Sequence, residues 1–142
     1  MAERLFVDTW GWLALGHRRD PHHQAVKEYY QGQRERGTRI YTSDYILDEV
    51  LTLLFRREIF AEAVSFMEGI FASAQQGRLV IVRITAERFS AAWALRRRYQ
   101  DKPLISFTDL TSMAIIEEFG VKEVLTEDDH FAEVGMAVQR IL

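Results

Sequence analysis

The chain has 142 residues, a hydrophobic fraction of 48%, no cysteine and a formal net charge of −3. This length suits one domain with one sizeable core, and the lack of cysteine excludes a disulfide scaffold and a thiolate metal site. A net acidic balance argues against a general nucleic-acid binder, which carries a basic excess, unless the acids are gathered in one place where a cation neutralises them.

The start of the chain holds a three-residue apolar run, Leu5-Phe6-Val7, ended by Asp8. That is not a secretory signal, and no segment approaches the ~20 apolar residues of a membrane span. A soluble, cytoplasmic protein is expected. Leu5-Phe6-Val7 reads as a short buried strand, and 10–15 as a short helix closed by Gly16. Asp20-Pro21 reads as an N-cap followed by proline at the first helical position, opening a helix to about Arg36 that Gly37 ends. Residues 38–42 form a second strand. Ser43 caps a helix over 44–57, and a second helix covers 59–75 with Gly77 as its stop. Residues 79–82 make a third strand and 86–99 an amphipathic helix. Ser106 opens a helix over 107–119 stopped by Gly120. Residues 121–126 are a fourth strand, 128–134 a short helical turn, and Met136-Ala137-Val138 a last strand.

Strands separated by helices imply right-handed crossovers and a parallel sheet covered on both faces. The expected fold is α/β, a three-layer α/β/α sandwich around a central parallel sheet of four to five strands, with 1–142 as one domain. The helix at 107–119 is apolar nearly all round, through Leu110, Met113, Ala114, Ile115, Ile116 and Phe119, and should be buried.

In such a sheet the strand C-termini and helix N-termini share one rim, where open α/β sheets bind ligands. Asp8 ends the first strand. Asp44, Asp48 and Glu49 follow the second, Asp109 lies in the first turn of the buried helix, and Asp128 and Asp129 follow the fourth strand. No Lys or Arg adjoins any of them in sequence. Helix capping is an alternative reading for each, since acids are favoured at helix N-termini. Ser106-x-x-Asp109 and Thr126-x-x-Asp129 both match a capping box. Capping does not explain why so many acids converge on one edge, nor Asp8, which borders the core. Clustered carboxylates repel, and a hard divalent cation such as Mg²⁺ or Mn²⁺ relieves this with oxygen ligands. Zinc would want His or Cys. His17, His22 and His23 read as surface residues, while His130, beside Asp128, is a candidate for orienting a ligand.

Four segments resemble the motifs of the PIN-domain family, and within it the VapC-type toxins, over essentially the whole chain. Phe6-Val7-Asp8-Thr9 resembles the first, 42–50 with Glu49 the second, Ser106-Phe107-Thr108-Asp109 the third, and 125–131 with Asp128 the fourth. The resemblance implies a PIN-like fold and a Mg²⁺- or Mn²⁺-dependent endoribonuclease hydrolysing RNA phosphodiester bonds, with Asp8, Glu49, Asp109 and Asp128 as metal-binding and catalytic residues. It also implies a homodimer and an antitoxin protein as partner, the chain being the toxin of a type II toxin–antitoxin pair. Asp48 and Glu49 flank opposite margins of one apolar helical arc, so only the family pattern chooses Glu49. Asp129 likewise competes with Asp128, and the role of Asp44 stays open. Thr9, Ser106 and Thr126 are candidates either to orient ligands or to cap helices.

The alternative is a PIN-like domain without nuclease activity, serving as an RNA-binding or assembly module, against which the four intact acids speak. A haloacid-dehalogenase-type phosphatase wants Asp-x-Asp after the first strand, where Trp10 stands. A response-regulator receiver wants paired acids there and a late Lys, but Asp8 stands alone and nothing after the fourth strand offers such a Lys. For RNA phosphates the candidate cations are Arg18-Arg19, Arg56-Arg57 and Arg96-Arg97-Arg98, with a solvated helix face as the plainer reading. Trp10, Trp12 and Trp93 are candidates for base stacking, though core packing is expected for Trp93 beside Phe89. The 59–75 helix carries Ile59, Phe60, Ala63, Val64, Phe66, Met67, Ile70 and Phe71 on an arc wider than the roughly 100° stripe a core-facing helix needs. With Leu51, Leu54 and Phe55 it is a candidate groove for an antitoxin helix, or else packs within the domain or between two copies.

Overall fold

A computed structural model describes residues 3–135 and 139–141. Twelve elements follow in order: β1 (Arg4–Val7), α1 (Thr9–Gly16), α2 (His23–Glu35), β2 (Arg39–Ser43), α3 (Asp44–Arg57), α4 (Phe60–Gln75), β3 (Val80–Val82), α5 (Ala86–Arg98), α6 (Phe107–Phe119), β4 (Glu123–Leu125), α7 (His130–Glu133) and β5 (Gln139–Ile141). The five strands form one sheet in the order β3-β2-β1-β4-β5, every pairing parallel. The expected α/β layering is therefore present, with five strands. The reading of Met136-Ala137-Val138 as a strand falls outside the described residues.

Right-handed crossovers send the chain from β1 through β2 to β3 in one direction, then back across the sheet to β4 and β5. Helices α1 to α4 thus cover one face, where α1 packs on α2 and α3, and the α5–α6 pair covers the other. The direction of winding reverses between β1 and β4, so a crevice opens at their C-terminal ends. β1 is in register with β4 through Val7 opposite Leu125. The residues that follow, Asp8 and Thr126, stand at the mouth of that crevice.

The core fills both sides of β1, whose Leu5, Phe6 and Val7 are fully buried. As expected, α6 is sunk into it: Leu110 through Ile116 are all buried. Trimming one of these large side chains, Ile115→Ala for instance, should cost about 2–5 kcal/mol. The α1 helix is tied down by polar bonds as well. Trp12 Nε1 donates to Thr42 Oγ1 at 3.0 Å, and the Thr42 hydroxyl donates to the Val7 carbonyl at 3.1 Å. This fixes the backbone immediately before Asp8 and satisfies a buried indole N–H.

Local signals set several boundaries. Ser43 and Ser106 accept from the amides of Ile46 and Asp109 as N-caps, and Gly120 ends α6 in the left-handed conformation at φ 64°. Two signals mislead. Gly16 is not a stop but the last residue inside α1, where a Cβ would meet the Phe66 ring at 2.9 Å; its smallness lets α4 approach. The α2 helix begins two residues after Pro21, because Asp20 spends its carboxylate on the His22 amide in a tight turn ahead of the helix.

The α5 helix corrects the expectation for Trp93, which is 55% exposed, with Phe89 at 47%. The buried stripe of α5 runs through Ala92 and Leu95. Phe89 and Trp93 each stand one residue outside it, and Phe89 leans on the Phe107 ring. The apolar arc of α4 also divides. Ala63, Met67, Ile70 and the α3 residue Leu54 enter the core, whereas Leu51, Ile59, Phe60 and Phe71 stay exposed. Among the described residues no helix is long and apolar enough to cross a membrane.

Candidate active site

Asp8 occupies the N-cap position of α1 but its side chain makes no capping bond. Only 6% exposed, it instead accepts from the Thr126 hydroxyl at 2.8 Å. Burial, then the nearby Asp109, and less strongly Asp128, push its carboxyl from 3.8 up to about 7 against the pull of the Thr126 bond. The capping explanation fails for this residue.

Asp109 sits in the first turn of α6, held by its own amide on Ser106 Oγ at 3.0 Å. Its Oδ2 lies 3.0 Å from His130 Nδ1. Burial raises its pKa, His130 eases it, and the charges of Asp128 and Glu49 raise it further. Asp128 lies in the turn after β4, where its amide donates to Thr126 Oγ1 at 3.0 Å. Its Oδ1 accepts the His130 amide at 2.9 Å and lies 3.1 Å from His130 Nδ1. Glu49, one turn into α3, accepts from the Thr9 hydroxyl at 2.6 Å.

Asp8, Asp109 and Asp128 thus act on one another electrostatically, and Glu49 reaches the same rim through Thr9 and Asp109. Asp48 points to solvent from the other margin of α3. Asp44 is structural: its Oδ1 accepts the amides of Tyr45 and Ile84, tying the start of α3 to the exit of β3. Asp129 is exposed at the cavity edge.

Of the three hydroxyl residues read as either caps or ligand holders, Ser106 caps, Thr9 holds Glu49, and Thr126 holds Asp8. The N-cap of α7 falls on Asp129, not on Thr126. Thr126 Oγ1 instead accepts the Asp128 amide, two residues on, at 3.0 Å. That β4 lies beside β1, which brings Thr126 to Asp8, is a matter of strand order that no local signal carries.

A cavity of about 460 Å³ opens over the crevice, lined by Asp8, Trp10, Thr126, Asp128, Asp129 and His130 among others. Trp10 forms one wall, its ring against that of His22. Two larger clefts lie elsewhere, one between α2 and α4 and one at the N-terminal ends of β2 and β3. Neither gathers carboxylates. The donor set suits a hard divalent cation: oxygens from separate elements, and no Lys or Arg paired with Asp8, Asp109 or Asp128 among the described residues. Asp109, Asp128 and His130 offer ligand atoms that all lie within 4.8 Å of one another.

The basic candidates are partly committed. Arg96 donates to the carbonyls of Tyr99, Lys102 and Ile105 and so holds the α5–α6 loop. Arg18 pairs with Glu62 at 3.3 Å. Arg19, Arg56, Arg57 and Arg97 are exposed.

A parallel α/β sheet with acids gathered at its switch point is the architecture of the PIN domain, and the family profile matches residues 5–136: the chain belongs to the PIN-domain family. Among curated proteins it is similar to the 23S rRNA-specific endonuclease VapC20 of Mycobacterium tuberculosis. The two are 30% identical over 139 residues, covering 96% of this chain and 98% of that one. The crystal structure of that Mycobacterium tuberculosis protein, described as a sarcin–ricin loop cleaving toxin, superposes with a TM-score of 0.77 at 29% identity, over 94% of this chain and 98% of the other. VapBC2 from Rickettsia felis, solved with a DNA fragment from its promoter, matches at a TM-score of 0.73 and 16% identity over 96% and 98%, a likeness of fold alone.

Proposed function

We propose that this chain acts as one PIN domain, a divalent-metal-dependent endoribonuclease and the toxin of a toxin–antitoxin pair. The observation that carries the reading is the set of three mutually repelling acids, Asp8, Asp109 and Asp128, at the β1/β4 crevice with no paired Lys or Arg among the described residues. Such a cluster repels itself in the folded state, and a bound divalent cation relieves that repulsion at neutral pH. The likeness to VapC20 supports the substrate class and makes the sarcin–ricin loop of 23S rRNA the first RNA to test.

A bound Mg²⁺ or Mn²⁺ supplies Lewis acidity toward a phosphoryl oxygen and a nucleophilic water at neutral pH. Asp8 and Asp109 are its principal protein ligands in this reading, with Asp128 and Glu49 completing the acidic shell. Thr126 fixes the rotamer of Asp8, Thr9 that of Glu49, and the Ser106 cap sets the backbone of Asp109. Trp10 offers a flat apolar wall to a nucleotide beside the acids.

Leu51, Ile59 and Phe60, with Phe55 edge-on to Phe60, form an exposed apolar patch on the α3–α4 hairpin. We read it as a docking surface for the antitoxin, and homodimerisation as a separate property to be measured by sedimentation. The decisive test of the activity is cleavage of a sarcin–ricin loop RNA and of total ribosomal RNA by purified protein with Mg²⁺, with Mn²⁺ and with EDTA. Cut products that need the metal and vanish in Asp8→Asn are expected. Folded protein that binds Mn²⁺ yet cuts none of these RNAs would sink the assignment.

A further inference from the structure

His130 Nδ1 lies 3.0 Å from Asp109 Oδ2 and 3.1 Å from Asp128 Oδ1. Around a small octahedral cation with bonds of about 2.1 Å, adjacent ligand atoms stand about 3.0 Å apart and opposite ones about 4.2 Å. The nitrogen is therefore already spaced from both oxygens as one vertex of such a shell is from its neighbours. A histidine that merely oriented a carboxylate ligand would meet it from outside the shell, on the side away from the other ligands. Here one nitrogen faces two acids that come from different elements, α6 and the β4–α7 turn. The residue is also well anchored, with its amide on Asp128 Oδ1 at 2.9 Å and the next residue, Phe131, buried in the core. In the metal-free protein Nδ1 carries a hydrogen toward the two acids, since carboxylates only accept.

We propose that His130 is itself a ligand of the divalent cation, through Nδ1, alongside Asp109 and Asp128, and that it biases the site toward a first-row transition ion over Mg²⁺. The inference rests on the metal-dependent reading above. Its physical basis is the donor: imidazole nitrogen favours transition ions, whereas Mg²⁺ prefers an all-oxygen shell and keeps its waters. Carboxylates alone would hold the two ions with little discrimination.

Pulsed EPR of Mn²⁺-loaded full-length protein, unlabelled and with ¹⁵N-histidine, detects nitrogen bound to the ion. The expected result is a coordinated imidazole nitrogen in wild type, absent from His130→Gln that still binds Mn²⁺. The preference for Mn²⁺ over Mg²⁺, read by competition, should fall about tenfold in that variant. His130→Asn is the second variant should the first fold poorly. Mn²⁺ bound by wild type without nitrogen coupling, or with a coupling that survives in both variants, overturns the proposal and leaves the metal-dependent nuclease reading intact. Wild type that binds no Mn²⁺ overturns both.

Discussion

The Thr126 hydroxyl donates to Asp8 Oδ2 at 2.8 Å across 118 positions of the chain. The same oxygen accepts the Asp128 amide at 3.0 Å, so one fully buried hydroxyl aims one acid and anchors the turn that carries another. Valine has nearly the same shape but neither bond. Thr126→Val should lower cleavage 10–100-fold and cost about 1–3 kcal/mol, because it leaves the part-buried Asp128 amide and the buried Asp8 carboxylate each without this partner. Thr126→Ser should restore most of both. Single-turnover cleavage beside thermal melts checks this, and a valine variant as active as wild type would remove Thr126 from the site.

Asp8→Asn separates catalysis from stability. The amide keeps an acceptor for Thr126 while removing a buried charge that Asp109 and Asp128 oppose. Cleavage should disappear, yet the variant in EDTA should be as stable as wild type or about 1 kcal/mol more so. At a metal concentration a hundredfold above its dissociation constant, wild type should gain about 2.7 kcal/mol and the variant much less. A variant that melts several degrees lower in EDTA and responds to Mn²⁺ as wild type does would make Asp8 a structural residue.

The same group gives the metal-free protein an unusual pH dependence. Burial and the neighbouring acids push the Asp8 carboxyl up to about 7 in the folded state, from an ordinary 3.8. Between those values the folded state holds the extra proton, so stability falls as pH rises through this window. His130 acts in the same direction. Burial lowers its pKa, but the Asp109 bond and the Asp128 charge outweigh this and hold it above 6.5. Its stabilising contribution is complete below 6.5 and is lost as pH climbs through the raised value. In EDTA, wild type should therefore melt higher at pH 5.5 than at pH 8, and Asp8→Asn should lose a large part of that difference. Equal slopes for the two proteins would contradict the assignment of the shift to Asp8.

Two helical glycines should respond oppositely to alanine. At Gly11 a Cβ would meet Val7 Cγ1 at 2.9 Å and Leu125 at 3.1 Å. The roughly 1 kcal/mol gain in helix propensity is then set against about 1–3 kcal/mol of overpacking where β1 and β4 meet, and net destabilisation is expected. At Gly32 nothing lies within 4 Å, so Gly32→Ala should stabilise α2 by about 0.5–1 kcal/mol. Urea denaturation of the two variants is sufficient, and a stabilising Gly11→Ala would mean that the β1–β4 seam yields to a methyl group.

Much of this protein is written locally. The apolar run of β1 ending at Asp8, the serine caps of α3 and α6, the apolar circumference of α6 and the glycine that ends it all act within a few residues. Their order, strand alternating with helix, is enough to imply a parallel sheet whose acids share a rim. What only the tertiary structure decided is which of those acids and hydroxyls meet. Glu49 rather than Asp48 faces the cluster because α3 rolls its apolar arc onto the core and brings that margin to Thr9. Thr126 serves Asp8 instead of capping α7 because the chain recrosses the sheet to lay β4 beside β1. Trp93 remains at the surface because α5 seats Ala92 and Leu95, not its larger neighbours, against α6. Capping and periodicity are short-range and can be read along the chain, whereas a contact across 118 residues depends on strand order, which no local propensity encodes.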